Sequence, residues 1–302
     1  MIDDKSRAEI FNQYRRRLFG IAYRMLGTSA DSEDVVQEAY LRWHKADAEN
    51  IESPEAWLVT VVTRLSIDRL RLLAKERETY IGPWLPEPLF GNKIYTPEEE
   101  LEFASNLSMA FMALLERLSP VERAAFLLRD VFDCSYGEIA RIVGKNETAC
   151  RQLIHRARTR VRRGKPRFEA SDAERRSLIE KFLAAVGAGD EATLLSLFAE
   201  DATMTSDGGG RVTSARKVIL GRNKIARLYY HLGLKTKGLL DVRIEPINGE
   251  LGIVTTVFGQ PFAATVFEIE GEKIRRVYQV MNPDKLENYA TEKENSSNAL
   301  SQ

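Results

Sequence analysis

A proline-rich stretch divides this chain of 302 residues into parts that cannot share one continuous helix. Residues 82–90, GPWLPEPLF, place three prolines and a tryptophan in nine positions. Proline fixes φ, lacks a backbone N–H donor and drives the preceding residue away from helical geometry, so helical patterns on either side end here. We predict an extended linker over residues 78–105. Its large apolar side chain, Trp84, predicts a docking surface elsewhere in the chain.

The segment before the linker predicts a bundle of amphipathic helices over residues 1–77. Apolar residues recur at three- and four-residue steps in IFNQYRRRLFGIAYRML, and acids cluster at the start of DSEDVVQEAYLRW, where they suit the positive helix end. Ser53 and Pro54 are typical of the start of a third helix. The second helix presents Asp34, Gln37, Glu38 and Leu41 on its outer face. An apolar residue among polar ones fits either a protein-docking surface or a solvated face with one exposed leucine.

A helix-turn-helix is predicted over residues 106–168. SPVE at 119–122 and SYGE at 135–138 fit the capping box, in which Ser and Glu satisfy each other's backbone donors at a helix start. Gly144 ends one helix, and another begins near Asn146. Residues 141–167 hold ten basic residues and one acid, a composition typical of a phosphate-binding surface. The alternative is a basic helical hairpin without a DNA partner.

The outer face of that last helix carries side chains suited to DNA. Reader helices contact bases with their N-terminal half and phosphates with their flanks. Glu147 can accept from cytosine, and Arg151 can donate to guanine. We predict DNA contacts from Asn146, Glu147, Thr148, Arg151, Gln152, His155 and Arg158. Further arginines follow at Arg156, Arg160, Arg162 and Arg163.

The last part of the chain, residues 169–290, predicts an α+β domain. A third capping box, SDAE, opens a helix, and the dipeptide Asn248-Gly249 is a strong hairpin signal between two strands. Helices come first and antiparallel strands follow, which is typical of α+β folds. His231 and Asp207 are the only pair here that suggests acid–base chemistry, and a structural histidine is the alternative. Residues 291–302 predict a frayed tail.

Several classes of function are disfavoured by composition. The chain has two cysteines and three histidines, so no zinc site or disulfide framework is predicted, and we expect no metal or cofactor. No run of eighteen apolar residues occurs, which predicts no membrane insertion. Acids and bases balance at 44 each, so the basic stretch is a local feature. We expect a cytoplasmic protein that is not an enzyme.

The order of the helical motifs resembles the extracytoplasmic-function (ECF) RNA polymerase sigma factors over about residues 8–165. DSEDVVQEAYLRW, SPEAWLVTVVTRLSIDRLR and LSPVERAAFLLRDVFDCSYGEIARIVG carry this resemblance. It implies that residues 1–77 are sigma region 2, which docks on core polymerase and reads the minus-ten element, and that residues 106–168 are sigma region 4, which reads the minus-thirty-five element. The implied polymerase contacts are Asp34, Gln37, Glu38 and Leu41. The implied minus-ten contacts are Trp57, Arg64, Asp68 and Arg71, although many family members carry asparagine at the position of Arg64.

The C-terminal domain resembles the SnoaL-like branch of the nuclear-transport-factor-like cone fold, a curved sheet around helices with an apolar pocket. Three motifs, WLPEP at 84–88, DGGGR at 207–211 and NPDKL at 282–286, together resemble the sigma-factor group numbered forty-one. In that group the fused domain regulates the sigma core in place of a separate anti-sigma factor. The implied regulatory residues are Trp84, Leu85, Pro86, Asp207, Gly208, Gly209, Gly210, Arg211, Asn282, Pro283, Asp284, Lys285 and Leu286.

We therefore expect a sigma factor with two all-α domains and an α+β SnoaL-like domain, whose partners are core RNA polymerase and promoter DNA. Our hypothesis is that Trp84 and its prolines dock near the DGGGR and NPDKL motifs and hold the DNA-reading domains closed. No separate anti-sigma factor is expected, and the pocket could bind a small apolar ligand. The alternative function is a stand-alone, ligand-sensing DNA-binding regulator, for which the acidic docking helix and the long linker would have no use.

Overall fold

The computed structural model of the protein describes residues 4–47, 51–91, 107–162 and 170–289. These residues form two compact units. One unit contains residues 4–79 and 111–162, and the other contains residues 80–91, 107–110 and 170–289. The docking part of the predicted linker therefore belongs with the C-terminal domain. Linker residues 92–105, Arg163 and the predicted tail lie outside the described residues, as does the side chain of Arg162.

The first unit is built from α-helices. They are α1 (Asp4–Leu26), α2 (Ser29–Lys45), α3 (Pro54–Arg77), α4 (Met109–Leu115), which begins just before the unit boundary, α5 (Pro120–Asp130), α6 (Tyr136–Val143) and α7 (Glu147–Arg162). Trp43, Leu58 and Val62 are completely buried where α2 and α3 meet. The predicted capping boxes of α5 and α6 are confirmed, since the serine and glutamate bonds of both are reciprocal.

The predicted helix-turn-helix is confirmed in α6 and α7. Gly144 ends α6 in the left-handed region at φ 68°, a conformation that favours glycine. Asn146 Oδ1 accepts the N–H of Ala149 at 2.8 Å and so caps the start of α7. Ile139 and Cys150 are completely buried between the two helices. The turn therefore fixes α7 while its opposite face remains exposed.

The second unit combines helices with one mixed sheet. Its elements are α8 (Asp172–Ala188), α9 (Glu191–Leu197), β1 (Phe198–Asp207), β2 (Ile219–Leu220), α10 (Arg222–Lys235), β3 (Leu240–Ile247), β4 (Glu250–Val257), β5 (Gln260–Glu270), β6 (Lys273–Val280) and a 3-10 turn (Pro283–Lys285). The strand order is β2-β1-β6-β5-β4-β3, with β1 parallel to β6 and the other neighbours antiparallel. Asn248 and Gly249 both have positive φ in the tight turn between β3 and β4, which confirms the predicted hairpin.

Aromatic side chains pack between the helices and the sheet of this unit. The ring of Phe182 lies 4.8 Å from that of Tyr229 and 5.1 Å from that of Phe267, measured between centroids. His231 is exposed on α10, whereas Asp207 is completely buried at the end of β1. The two residues that suggested acid–base chemistry therefore lie in different surroundings.

The parts of the chain that the structure describes contain neither a membrane-spanning helix nor a metal site of clustered side chains. No helix of residues 4–47, 51–91, 107–162 and 170–289 is long and apolar enough to cross a bilayer. Within the same residues, no group of three or more histidine, cysteine or acidic side chains is arranged to hold a metal ion.

Candidate docking, nucleic-acid and linker sites

The predicted docking residues share one exposed face of α2. Asp34, Gln37, Glu38 and Leu41 are all exposed, whereas Val35, Val36, Ala39 and Trp43 on the opposite face are buried. Leu41 is 46% exposed, and Glu38 Oε1 accepts a hydrogen bond from Arg42 Nε at 2.8 Å. A cleft of about 300 Å³ between α1 and α2 borders this face at Gln37. The α2 face, defined as these four exposed residues, therefore combines acidic charge with accessible apolar area.

The residues predicted to contact the minus-ten element lie along α3 in two environments. Asp68 and Arg71 form an exposed ion pair of 2.8 Å one turn apart. Trp57 packs against Trp43, with ring centroids 5.7 Å apart. Trp57 and Arg64 also border a cleft of about 700 Å³ between α3 and α6. Only Asp68 and Arg71 are thus clear of the helix-turn-helix.

Arg64 makes hydrogen bonds that the sequence did not predict. Its Nε donates to the carbonyl of Ile142 at 3.0 Å, and its Nη2 donates to the carbonyl of Arg141 at 2.7 Å. These carbonyls belong to the last turn of α6, where unpaired acceptors and the negative helix end favour a cation. In this conformation the guanidinium of Arg64 is hydrogen-bonded to the helix-turn-helix.

The exposed face of α7 contains most of the predicted DNA-reading residues. Glu147, Thr148, Arg151, Gln152 and His155 are exposed. The side-chain oxygen of Asn146 is already used in capping the helix. These positions leave a polar and basic surface along the first three turns of α7.

Three arginines of α7 instead pair with acids of α5. Arg158 binds Asp130 with both Nε and Nη2, at 2.9 Å and 2.6 Å. Arg160 and Arg156 both pair with Glu122, whose side chain is 8% exposed. Burial alone would raise the pKa of Glu122, but hydrogen bonds from Ser119 and the charges of the two arginines lower it overall. These arginines therefore position α7, and they contribute less free charge than composition suggested.

Linker residues 80–91 lie on the C-terminal domain, and their first contact is centred on Asp207. The completely buried carboxylate of Asp207 accepts from the hydroxyl of Tyr80 at 2.5 Å and from the N–H of Leu85 at 2.8 Å. The N–H of Gly209 also donates to it at 3.0 Å. Burial, followed by the bond to Asp207, raises the pKa of Tyr80, which keeps the hydroxyl protonated as a donor.

Lys285 connects the NPDKL motif to Asp207 and to the linker. Its Nζ lies 2.7 Å from Asp207 Oδ2, donates to the carbonyl of Leu85 and stands 4.1 Å from the ring centroid of Trp84. Asn282 Nδ2 donates to the hydroxyl of Tyr80 at 3.1 Å. The structure thus brings the WLPEP, DGGGR and NPDKL motifs together. We call Tyr80, Leu85, Asp207, Asn282 and Lys285 the linker clasp.

Glycines of the DGGGR motif permit this close approach. A Cβ on Gly209, whose φ is 58°, would lie 2.4 Å from Asn282 Nδ2, and one on Gly210 would lie 2.9 Å from the side chain of Ile81. A Cβ on Gly208 would lie 2.4 Å from Ser214 Oγ. Arg211 forms an exposed ion pair of 3.2 Å with Asp284. A Cβ at Gly209 or Gly210 would therefore press on the NPDKL motif or the linker, whereas one at Gly208 would press on its own loop.

The remaining regulatory candidates differ in burial. Trp84 is only partly buried, while Leu85 and Pro86 are buried beneath it. Leu286 is also buried, whereas Pro283 and Asp284 at the start of the 3-10 turn are exposed. Residues 85–88 therefore form a continuous buried stretch of the linker next to the partly buried tryptophan.

A second linker contact was not predicted from the sequence. The side chain of Asn248 accepts the N–H of Leu89 at 3.0 Å, and the Asn248 N–H donates to the Leu89 carbonyl at 2.8 Å. Phe90 makes a bridge to Ile247 and stacks edge-on against Tyr289 at 4.8 Å. The sequence predicts Asn248 only as a turn residue, and no local pattern pairs it with the linker.

Family models match both helical segments. The model described as Sigma-70 region 2 matches residues 10–76, and the model described as Sigma-70, region 4 matches residues 108–161. These segments contain the α2 face, the α3 residues and the helix-turn-helix.

Whole-chain relatives support the same assignment. The ECF RNA polymerase sigma factor SigJ of Mycobacterium tuberculosis is 38% identical over 290 residues, covering 91% of this chain and 92% of the relative. A crystal structure of M. tuberculosis SigJ matches with a TM-score of 0.74 and 36% identity, over 92% of this chain and 97% of that structure. A partial structural match, which adds nothing to this assignment, is a structure of the Bartonella quintana sigma factor RpoE in complex with the anti-sigma factor NepR; it covers 52% of this chain and 94% of its own, at 22% identity and a TM-score of 0.41.

The helices, the α+β domain and the whole-chain match agree on one family. Such proteins are not enzymes, and they give RNA polymerase its choice of promoter. The chain belongs to the ECF RNA polymerase sigma factors, with a SnoaL-like domain fused after sigma regions 2 and 4.

Proposed function

We propose that this sigma factor is restrained by its own C-terminal domain, which holds the linker between regions 2 and 4 through the linker clasp. The observation that carries the proposal is the buried Asp207–Lys285 pair, which bonds to both the side chain and the backbone of the linker. Docking and release of the linker would then set how freely regions 2 and 4 reach their promoter elements.

The α2 face is our candidate for the core polymerase contact. Leu41 lies among acidic side chains on an exposed helix face that no described element of its unit covers. Exposed apolar area that becomes central in an interface carries a large share of binding free energy, and acidic neighbours favour a basic partner. Asp34, Gln37 and Glu38 would supply the polar rim around Leu41.

Two basic helical surfaces are our candidates for promoter contact. Asp68 and Arg71 on α3, with Trp57 and Arg64, would contact the minus-ten element. Arg64 must first leave the carbonyls of α6, so the conformation described here differs from a promoter-bound one. On α7, the proposed minus-thirty-five contacts are Asn146, Glu147, Thr148, Arg151, Gln152, His155 and Arg158, the last after leaving or sharing Asp130.

Chain length gives the restraint a physical basis. Regions 2 and 4 must reach two promoter elements some tens of ångströms apart, since each base pair adds about 3.4 Å along the duplex. With residues 80–91 held on the C-terminal domain, the part of the linker left to connect region 2 with region 4 is residues 92–106. Fifteen residues span at most about 50 Å when fully extended. Release of the linker adds twelve residues to this connection.

The other expectations about partners remain proposals. We expect the protein to act in the cytoplasm, where its polymerase works, and without a separate anti-sigma factor, although one structural relative was solved with such a factor. The aromatic packing around Phe182 does not favour the expected apolar ligand in that part of the domain. A thermal-shift screen with apolar compounds, compared between wild type and Phe182→Leu, would test for such a ligand.

Run-off transcription with core RNA polymerase tests the proposal. A promoter recovered by in vitro selection would be transcribed with wild-type protein, Trp84→Ala, Lys285→Met and the exposed control Lys224→Met. We expect the first two variants to change the amount of promoter-dependent product at least threefold and the control to match wild type. Equal activity of all four proteins would refute the restraint while leaving the sigma function intact.

A further inference from the structure

The first residue of α6, Tyr136, has no part in the functions proposed above, and two arginine side chains lie over its ring. The guanidinium carbon of Arg151 lies 4.1 Å from the ring centroid of Tyr136, and that of Arg129 lies 5.2 Å from it. Arg151 belongs to the exposed reading face of α7, whereas Arg129 belongs to α5. Tyr136 therefore stands where α5, α6 and α7 meet.

The Arg151 side chain is held on two sides. Its guanidinium carbon lies over the ring of Tyr136, and its Nη2 lies 3.3 Å from Glu147 Oε2, one turn earlier on α7. The first turns of α6 and α7 approach closely here, since a Cβ on Gly137 would lie 3.4 Å from Glu147 Oε1. The arginine side chain nevertheless remains 58% exposed. It is both oriented and accessible.

This geometry suits recognition of a base edge. A guanidinium has five N–H donors in one plane, so a stack on its face leaves donors at its edge available. An arginine reads guanine through two such donors directed at O6 and N7. A free arginine loses much rotamer freedom when it is fixed by a ligand. An arginine already held by a ring and a carboxylate loses less rotamer freedom when it binds a base.

We infer that Tyr136 is a specificity-determining residue of the helix-turn-helix, because its ring holds Arg151 in the orientation that reads a guanine in the minus-thirty-five element. The inference rests on the proposed promoter contact of α7 and assigns a positioning function to a residue that does not itself touch the base. Stacks of this kind at exposed sites correspond to about a two- to fivefold change in an equilibrium constant.

The test uses holoenzyme formed from the full chain and core polymerase. Promoters would be selected from randomised duplexes with wild type, Arg151→Ala, Tyr136→Leu and Tyr136→Phe. The position that loses its guanine preference with Arg151→Ala is the one that Arg151 reads. Dissociation constants for duplexes matched and mismatched at that position would then be measured, with His155→Ala as a control for a neighbouring reader position.

We expect Tyr136→Leu to lower the matched-to-mismatched ratio at the Arg151 position two- to fivefold and to leave ratios at other positions unchanged. Tyr136→Phe keeps the ring and should retain the wild-type ratio. Equal weakening at every position, or an unchanged ratio at the Arg151 position, would overturn the inference. If Arg151→Ala alters no position, the proposed α7 contact fails together with the inference; if it alters one that Tyr136→Leu leaves intact, only the inference fails.

Discussion

Replacing Lys285 with methionine removes the positive charge from the linker clasp and keeps the length of the side chain. The Lys285 side chain is 8% exposed and its partner Asp207 is 0% exposed, so the pair is buried. Removing one partner of a buried ion pair typically destabilises a protein by about 3–5 kcal/mol, because the remaining charge stays without compensation. We expect the variant to relieve this penalty by releasing the linker and admitting water to Asp207.

The size of that effect sets what an exchange measurement should detect. The N–H of Leu85 donates to Asp207, and the carbonyl of Leu85 accepts from Lys285. A loss of about 3 kcal/mol in the local opening free energy corresponds to about a hundredfold faster amide exchange. The N–H of Leu89 donates to Asn248 in the second linker contact, so its exchange should rise less.

Amide hydrogen exchange followed by NMR would resolve the two linker positions. Lys224→Met, at an exposed lysine of the same domain, is the matched control and should leave both rates unchanged. The double variant Asp207→Asn with Lys285→Met removes the charge of both partners and should recover much of the lost protection. Unchanged exchange at Leu85 in Lys285→Met, with the fold intact, would refute the argument that this ion pair holds the linker.

Three further predictions concern the rest of the molecule. Leu41→Ala should weaken the affinity for core polymerase about tenfold, the loss of a moderate interface anchor. Leu72→Ala, at a similarly exposed leucine of α3, should leave that affinity unchanged. Equal affinities of the two variants in a titration by fluorescence anisotropy would contradict the proposed role of the α2 face. The pKa of Glu122 is lowered from its usual 4.5, so its contribution to stability is present above that pH and is lost as pH falls through the lower folded value. Glu122→Gln should therefore lower the unfolding free energy by about 1–2 kcal/mol at pH 7 and by progressively less below pH 4.5. Urea titrations of both proteins over this pH range would measure the difference, and a constant difference would contradict the prediction. Gly233→Ala places a Cβ 2.3 Å from a backbone carbonyl of α8 and should lower the melting temperature, while Gly187→Ala meets nothing within 4 Å and should keep or raise it; equal melting temperatures would show that α10 can shift freely.

Local signals in the sequence predicted the boundaries of many elements. Ser119 and Ser135 begin helices because the glutamates three residues later complete their capping boxes. Asn248 and Gly249 form the predicted turn because both adopt positive φ without a large penalty. These features depend on residues that are close in the chain, so a short stretch is enough to predict them.

Contacts between residues that are distant in the chain were much harder to predict from the sequence. The arginines of α7 give the same composition whether they face phosphates or, like Arg158, bind an acid of α5. The family resemblance predicts that Arg64 contacts DNA, whereas in the structure it donates to a carbonyl at the end of α6. Tyr80 and Asn248 bind partners more than a hundred residues away, and no local pattern distinguishes them from an ordinary aromatic and a turn residue.

The linker clasp also has a consequence for protein synthesis. Tyr80 and Leu85 leave the ribosome long before Asp207 and Lys285, the residues that bind them. At about 5–20 residues per second, the roughly 200 residues that separate the two ends of the clasp take about 10–40 s to translate. Once region 4 has been synthesised, the nascent chain carries both helical domains with a linker that Asp207 and Lys285 do not yet bind. Under the proposed restraint, each new molecule would pass through an unrestrained form before its own C-terminal domain is complete.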